Sequence, residues 1–385
     1  MIVTALNRAH SPGIMKHWFW ILCILVCWLT PTVCVGAPNS ASMDGQRAQQ
    51  IRVVLDRDIP RLLADNSVPS VSLVHIEAGK VVFTGAYGEQ ASGVVATTKT
   101  LYNIASLSKP ISAEVILRLA SQGKLTLDEP MYLYWTDPDI ANDERRKLLT
   151  PRLALSHQTG FPNWRRQTGH VLTFKHAPGE TYGYSGEGYE YVARFAQQKM
   201  ATDFETLAQN LVLDPLGMTD TAYTRRPWFD GRIALPADAE GKTLEPEITE
   251  KWVASDLVYT TPSDYAKLVL SVMRGRDLAP AISKERSRIQ IAETSALCSS
   301  RKAEGCPDAA GFGLGWEVFS IANETYLTHD GSDDGVATFV YINLARKTGT
   351  VIFTNGSNGR KIMLPILDLL GENRAFVECL RRNAC

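Results

Sequence analysis

The chain has 385 residues, a net charge of −1, 45% apolar and 21% charged residues. That length suits one large domain or two intimate ones, and the composition is that of an ordinary globular protein, which excludes a largely disordered chain. No basic excess points to nucleic acid, so that class of partner is set aside.

The N-terminus stands apart. Trp18 to Leu29 is an unbroken apolar run of 12 residues, preceded by Lys16 and His17 and followed by Val35-Gly36-Ala37. A membrane span needs about 20 residues, so this pattern reads as a secretory signal peptide over residues 1–37, with Met15 as an alternative start. The mature chain, 38–385, is then expected to be exported, periplasmic or secreted, without a stable membrane span. Cys298, Cys306, Cys379 and Cys385 remain after the leader, an even set suited to an oxidising compartment. Pairings Cys298–Cys306 and Cys379–Cys385 are expected, because each closes a short local loop.

Along the chain, Ile51, Val54, Leu55, Ile59 and Leu62 give a helical pattern over Asp44–Leu63. Val71–Ile76 and Lys80–Tyr87 read as a hairpin turning at Ala78-Gly79. Residues 101–280 read as helices and loops, with helices at Ile111–Gln122, Glu187–Met200, Asp203–Val212 and Ser263–Met273, the last capped by Ser263 or Asp264. Gly315–Ile321, Val336–Leu344 and Thr350–Asn355 are strand-like, and Arg360–Leu370 is a closing helix. Strands, helices, strands and a helix predict an α+β fold. An antiparallel sheet (about 45–115 and 285–385) is flanked by helices and carries an inserted, mostly helical part (about 116–284).

Three segments carry candidate chemistry. In Ser106-Leu-Ser-Lys109, three residues of helical spacing put serine and lysine on one side. A serine hydroxyl needs a base, and a desolvated lysine can serve as one. Pro110 argues against helical geometry at Lys109. In Tyr184-Ser-Gly186, a tyrosine after a Pro-Gly turn near a cation can relay protons. Gly183-Tyr-Ser185-Gly-Glu187 misses the Gly-x-Ser-x-Gly elbow by its last residue, against an α/β-hydrolase. In His329-Asp330-Gly331-Ser332, just before the strand Val336–Leu344, a strand edge with a glycine would let a substrate backbone come close. His329 there could donate a hydrogen bond or supply partial positive charge. Lys347-Thr348-Gly349 falls in a hairpin turn and is read as a turn.

Together, Ser106-Leu-Ser-Lys109, Tyr184-Ser-Gly186 and His329-Asp-Gly331 resemble, in order, the motifs of the serine beta-lactamase and penicillin-binding-protein superfamily. The branch is that of class C beta-lactamases and related esterases and D-peptidases. Gly123-Lys-Leu-Thr-Leu-Asp128, Leu155-Ser-His-Gln-Thr-Gly-Phe-Pro162 and Gly313-Leu-Gly-Trp316 add to the resemblance. It implies acylation of Ser106, proton transfer shared by Lys109 and Tyr184, and assistance from His329. It also implies an oxyanion hole from the Ser106 and Ser332 backbone N–H groups, a substrate surface at Gly186, Asp330 and Gly331, and no metal or cofactor. Two departures matter. Gly186 stands where the family usually has asparagine, and His329-Asp330-Gly331 where it usually has Lys-Thr-Gly, so that Asp330 would disfavour a carboxylate substrate. The expectation is an exported serine hydrolase acting on a small-molecule or peptide substrate through an ester or amide bond. The alternatives are a D,D-peptidase or beta-lactamase, and a non-catalytic pseudoenzyme that binds wall fragments.

Overall fold

Ile51, Leu55, Ile59 and Leu63 recur at helical spacing and form the buried face of α1 (Ser40–Asp65). The computed structural model describes residues 40–275, 277–293, 298 and 305–382. The expected leader, residues 1–37, lies outside them. A hairpin follows: β1 (Ser70–Glu77) and β2 (Lys80–Ala91) turn at Ala78 and Gly79, both with positive φ, 49° and 74°. Two such residues give the turn whose twist matches that of paired strands. A short β3 (Val94–Val95) edges β2, while β4 (Tyr102–Asn103) pairs with β5 (Tyr259–Thr260) in a separate two-stranded ribbon.

The C-terminal part supplies β6 (Ile291–Ala292), β7 (Ala309–Phe312), β8 (Glu317–Ile321), β9 (Glu324–Asp333), β10 (Val336–Asn343) and β11 (Thr348–Thr354). Among the described residues nine strands form one antiparallel sheet, ordered β3-β2-β1-β11-β10-β9-β8-β7-β6. The sequence reading missed β3, β6, β7 and β9 of this sheet, and both strands of the β4–β5 ribbon. In β9 the run Asp330-Gly-Ser-Asp333 has turn composition, yet pairing with β10 carries it through as strand.

Successive side chains alternate between the two faces. Val71, Leu73, Tyr326, Phe339, Tyr341 and Ile352 face α1 and two C-terminal helices, α5 (Arg360–Leu370) and α6 (Arg374–Arg381). Val74, Ile76, Leu327, Val340, Val351 and Phe353 face α2 (Ser108–Ser121), α3 (Gly186–Met200) and α4 (Pro262–Arg274). Helices thus cover both faces, in agreement with the α+β expectation. The cap of α4 is Thr261, whose side chain accepts from Asp264 N–H at 3.2 Å, with Pro262 in the first helical position. It replaces the Ser263 or Asp264 cap read from sequence.

Cys298 and Cys306 are disulfide-bonded with a Cα–Cα distance of 5.7 Å, an ordinary separation for such a bond. Cys385, the expected partner of Cys379, lies outside the described residues. No helix among the described residues is long and apolar enough to cross a membrane.

Candidate active site

Ser106 lies in the 3-10 turn Ala105–Leu107, and Lys109 in the first turn of α2, into which that turn leads. Lys109 Nζ donates to Ser106 Oγ at 2.8 Å and to the Ser255 carbonyl at 2.9 Å. Lys109 is fully buried, whereas Ser106 retains some exposure. Pro110 falls in the first helical turn, where a backbone N–H has no partner within the helix anyway, so α2 forms through it. Ala105 has φ +46°, rare for a residue with a side chain. Its N–H is held by Asn103 Oδ1 at 2.8 Å. Local strain of this kind persists only where surrounding contacts over-determine it.

One of those contacts is β9. A Cβ on Gly331 would lie 2.4 Å from the Ile104 carbonyl oxygen and 3.2 Å from Ala105 Cβ. The glycine therefore lets β9 close on the serine turn, an approach made by the protein's own backbone and not only by a substrate. Thr338 on β10 donates to the same Ile104 carbonyl at 3.0 Å. The pairs between β8 and β9 end at Glu317–Thr328, so β9 runs on through His329–Asp333 without a β8 partner. The edge expected at this motif exists, although β9 is an interior strand along the rest of its length.

Alternation along β9 places His329 on the Leu327 side, the face that also holds the Ser106 turn and Tyr184. Its ring centroid is 6.5 Å from that of Tyr184. Burial first, and then the Lys109 charge, bring the His329 pKa down to about 3. The ring is neutral at physiological pH. Nδ1 is 2.7 Å from the Asp330 carbonyl oxygen, which can only accept, so the proton sits on Nδ1 and Nε2 is left as an acceptor. The expected positive charge at His329 is therefore withdrawn. Asp330, one residue on, points to the opposite face and pairs with Arg360 of α5. Its carboxylate is turned away from the serine, so the argument that it repels a substrate carboxylate falls.

Tyr184 precedes α3, and Lys109 Nζ is 4.9 Å from its ring centroid. Ser185 is the cap of α3: its hydroxyl accepts from Gly188 N–H at 3.0 Å and donates to the Pro162 carbonyl at 2.8 Å. That explains why the near-elbow here is a structural serine. Gly186 donates its N–H to Asn163 Oδ1 at 2.8 Å, and a Cβ there would lie 3.1 Å from Trp164 Cη2 and 3.2 Å from Ser255 Oγ. Trp164 and Ser255 thus occupy the space a side chain at 186 would need. Ser332 follows Gly331 on the free stretch of β9. Lys347-Thr348-Gly349 lies where β10 turns into β11, beyond the end of the β9–β10 ladder opposite Gly331.

Several residues of the site carry no sequence signal of their own. Glu190, one turn along α3 from Gly186, accepts from Ser255 N–H at 2.9 Å and from Ser255 Oγ at 2.8 Å, which aims the Ser255 carbonyl at Lys109. Trp164, Arg166, Glu247, Asp256, Leu257 and Asp333 line an adjoining cavity of about 300 Å³. Burial, offset in part by the Lys109 charge, pushes the Asp256 pKa up to about 7. A carboxyl whose folded pKa exceeds its unfolded one supports the fold below the unfolded pKa, and this support is lost as pH rises through the folded value. Thermal melts should therefore show Asp256→Asn losing less Tm than the parent between about pH 5 and about pH 8. Equal losses would refute the assignment.

A sheet covered on both faces, with a buried lysine bonded to a serine at a helix start and a tyrosine ring against that lysine, has the geometry of a serine hydrolase of the beta-lactamase fold. The chain belongs to the Beta-lactamase family, whose profile matches residues 55–370. Protein flp of Staphylococcus aureus is 24% identical over 328 residues, covering 80% of this chain and 63% of that protein. Putative beta-lactamase-like 1 of Homo sapiens is 25% identical over 332 residues, 78% of this chain and 64% of that protein. The chain thus spans less than two thirds of the length of these curated relatives. Among solved structures, the octameric penicillin-binding protein homologue from Pyrococcus abyssi superposes with a TM-score of 0.71 at 20% identity, covering 86% of this chain and 80% of that one. The D-alanine carboxypeptidase AmpC from Burkholderia cenocepacia gives 0.68 at 21%, covering 83% and 99%. Both show the same fold.

Proposed function

We propose that this chain is an exported serine hydrolase that cleaves an ester or amide through an acyl-Ser106 intermediate. The observation that carries the reading is the 2.8 Å contact between Lys109 Nζ and Ser106 Oγ, with Tyr184 against the same ammonium. Ser106 Oγ attacks the substrate carbonyl carbon, and its proton passes to the Lys109–Tyr184 pair. The Ser106 and Ser332 backbone N–H groups receive the oxyanion. As the carbonyl reforms, the leaving alcohol or amine takes the proton from Lys109 or Tyr184. Water then repeats the sequence on the acyl ester, releasing the acid and restoring the serine. His329, with its proton committed to the Asp330 carbonyl, offers Nε2 to orient Tyr184 or substrate.

The lean away from beta-lactams and cell-wall peptides rests on Gly186, where the asparagine amide usual in the family is missing. The adjoining cavity carries both signs of charge, with Glu247, Asp256 and Asp333 beside Arg165 and Arg166. The Cys298–Cys306 bond and the apolar run at Trp18–Leu29 support an oxidising, extracytoplasmic setting.

A fluorophosphonate probe followed by peptide mapping tests the nucleophile, with a parallel screen over p-nitrophenyl esters, D-amino-acid amides and nitrocefin. Label on Ser106 together with ester turnover is expected. Nitrocefin turnover without ester turnover would favour the beta-lactamase or D,D-peptidase reading, and no label at all would favour a pseudoenzyme.

A further inference from the structure

Tyr184 sits in a loop, yet proton transfer demands that its hydroxyl be held in place. The restraint comes from His157, a residue with no part in the three motifs. The Gly183 N–H donates to the His157 carbonyl at 2.8 Å, and the Ser185 N–H donates to His157 Nδ1 at 3.0 Å. The neighbours of Tyr184 on both sides are thus bonded to one residue. Between them, the His157 ring lies against the Tyr184 ring, with centroids 4.3 Å apart and planes 31° apart. His157 is itself fully buried, braced by Tyr189 at 5.2 Å and edge-on by Phe312 at 4.4 Å.

We propose that His157 is a positioning residue that clamps Tyr184 through its carbonyl, its Nδ1 and its ring face. The inference rests on the role given to Tyr184 above. The clamp needs a planar ring with an acceptor at the δ position, and only a neutral imidazole has both. Burial foremost, then the Lys109 charge, pushes the His157 pKa well below its ordinary value, which keeps Nδ1 free to accept. The other titratable groups against it are Tyr182, Tyr184 and Tyr189. His157 also has φ +57°, a conformation that asparagine adopts readily. His157→Asn therefore keeps both the backbone geometry and an acceptor near Nδ1, while His157→Phe keeps only the ring.

The test measures kcat and KM on p-nitrophenyl butyrate for both variants, each in the parent and in Tyr184→Phe, with thermal melts alongside. His157→Phe should lose about 100-fold in kcat with KM within about twofold, the scale of a misplaced catalytic group. His157→Asn should recover to within about tenfold of the parent, because it restores the hydrogen bond to Ser185. In Tyr184→Phe neither substitution should lower kcat further, since residues acting as a unit are not additive. If Tyr184→Phe alone leaves kcat unchanged, the role of Tyr184 falls and that of His157 with it. If Tyr184→Phe is impaired but the His157 losses add to it in full, His157 alone is overturned. Should His157→Phe not fold, the same two comparisons are read from His157→Asn: its loss of kcat must be present in the parent and absent in Tyr184→Phe.

Discussion

Ser106→Ala is expected to lower kcat on the best ester of the screen by about 10⁴-fold or more, the scale on which nucleophile deletions act in serine hydrolases. The melting curve should hardly move, because Ser106 is partly exposed and its hydroxyl bonds only to Lys109 among the described residues. Lys109→Met should lose a comparable factor, since without the amine the hydroxyl has no base within reach. It should also cost about 1–3 kcal/mol of stability, because the buried Ser255 carbonyl loses its donor. Combining the two substitutions should lower kcat no further than either alone. Retention of more than about 10% of the parent kcat in Ser106→Ala would overturn the acyl-enzyme.

The second large effect concerns stability. Glu114, fully buried on α2, pairs with Arg286 at 2.8 Å, and the Arg286 side chain is itself only 4% exposed. The same guanidinium donates to the Val272 carbonyl of α4 at 2.8 Å. The nearest other cation, Arg118, is 3.8 Å from the Glu114 carboxylate. Removing one partner of such a pair strands a charge in a low-dielectric interior, so Arg286→Met should destabilise by about 3–5 kcal/mol. The corresponding fall in Tm is about 5–10 °C. Glu114→Met with Arg286→Met should recover much of that loss, because a hydrophobic pair of similar volume leaves no stranded charge. Denaturant melts of Arg286→Met and of the double variant decide it: Arg286→Met within about 1 kcal/mol of the parent would refute the claim.

What could be read in advance divides along physical lines. Local signals held. The Ala78-Gly79 turn, the strands on either side, α2, α3 and the Cys298–Cys306 loop depend on neighbours in sequence. Ser106 and Lys109 are three residues apart at a helix start, so their contact is local as well. Non-local facts were hidden. β9 looked like a turn because its alternation runs into Asp330-Gly-Ser-Asp333, and only its partner β10 makes it a strand. Missing that strand hid the parity that sends His329 and Asp330 to opposite faces. The charge state of His329 depends on burial, which no local pattern reports. Ser255 and Glu190 lie 65 residues apart, and nothing near either one marks the pair.

The pairing of β1 with β11 has a consequence for how the chain is made. Val71–Ile76 meets Gly349–Thr354, so the first long strand waits for the last. A chain emerging N-terminus first holds its β1–β2 hairpin with one open flank until some 270 residues later, and contacts of such sequence separation form slowly. A truncation before Thr348 would leave that hairpin cut off from β10 and the strands beyond it, with an unpaired flank on each side. The β1–β2 hairpin and the β9 backbone that closes on the Ser106 turn therefore come into one sheet only when β11 has formed between β1 and β10.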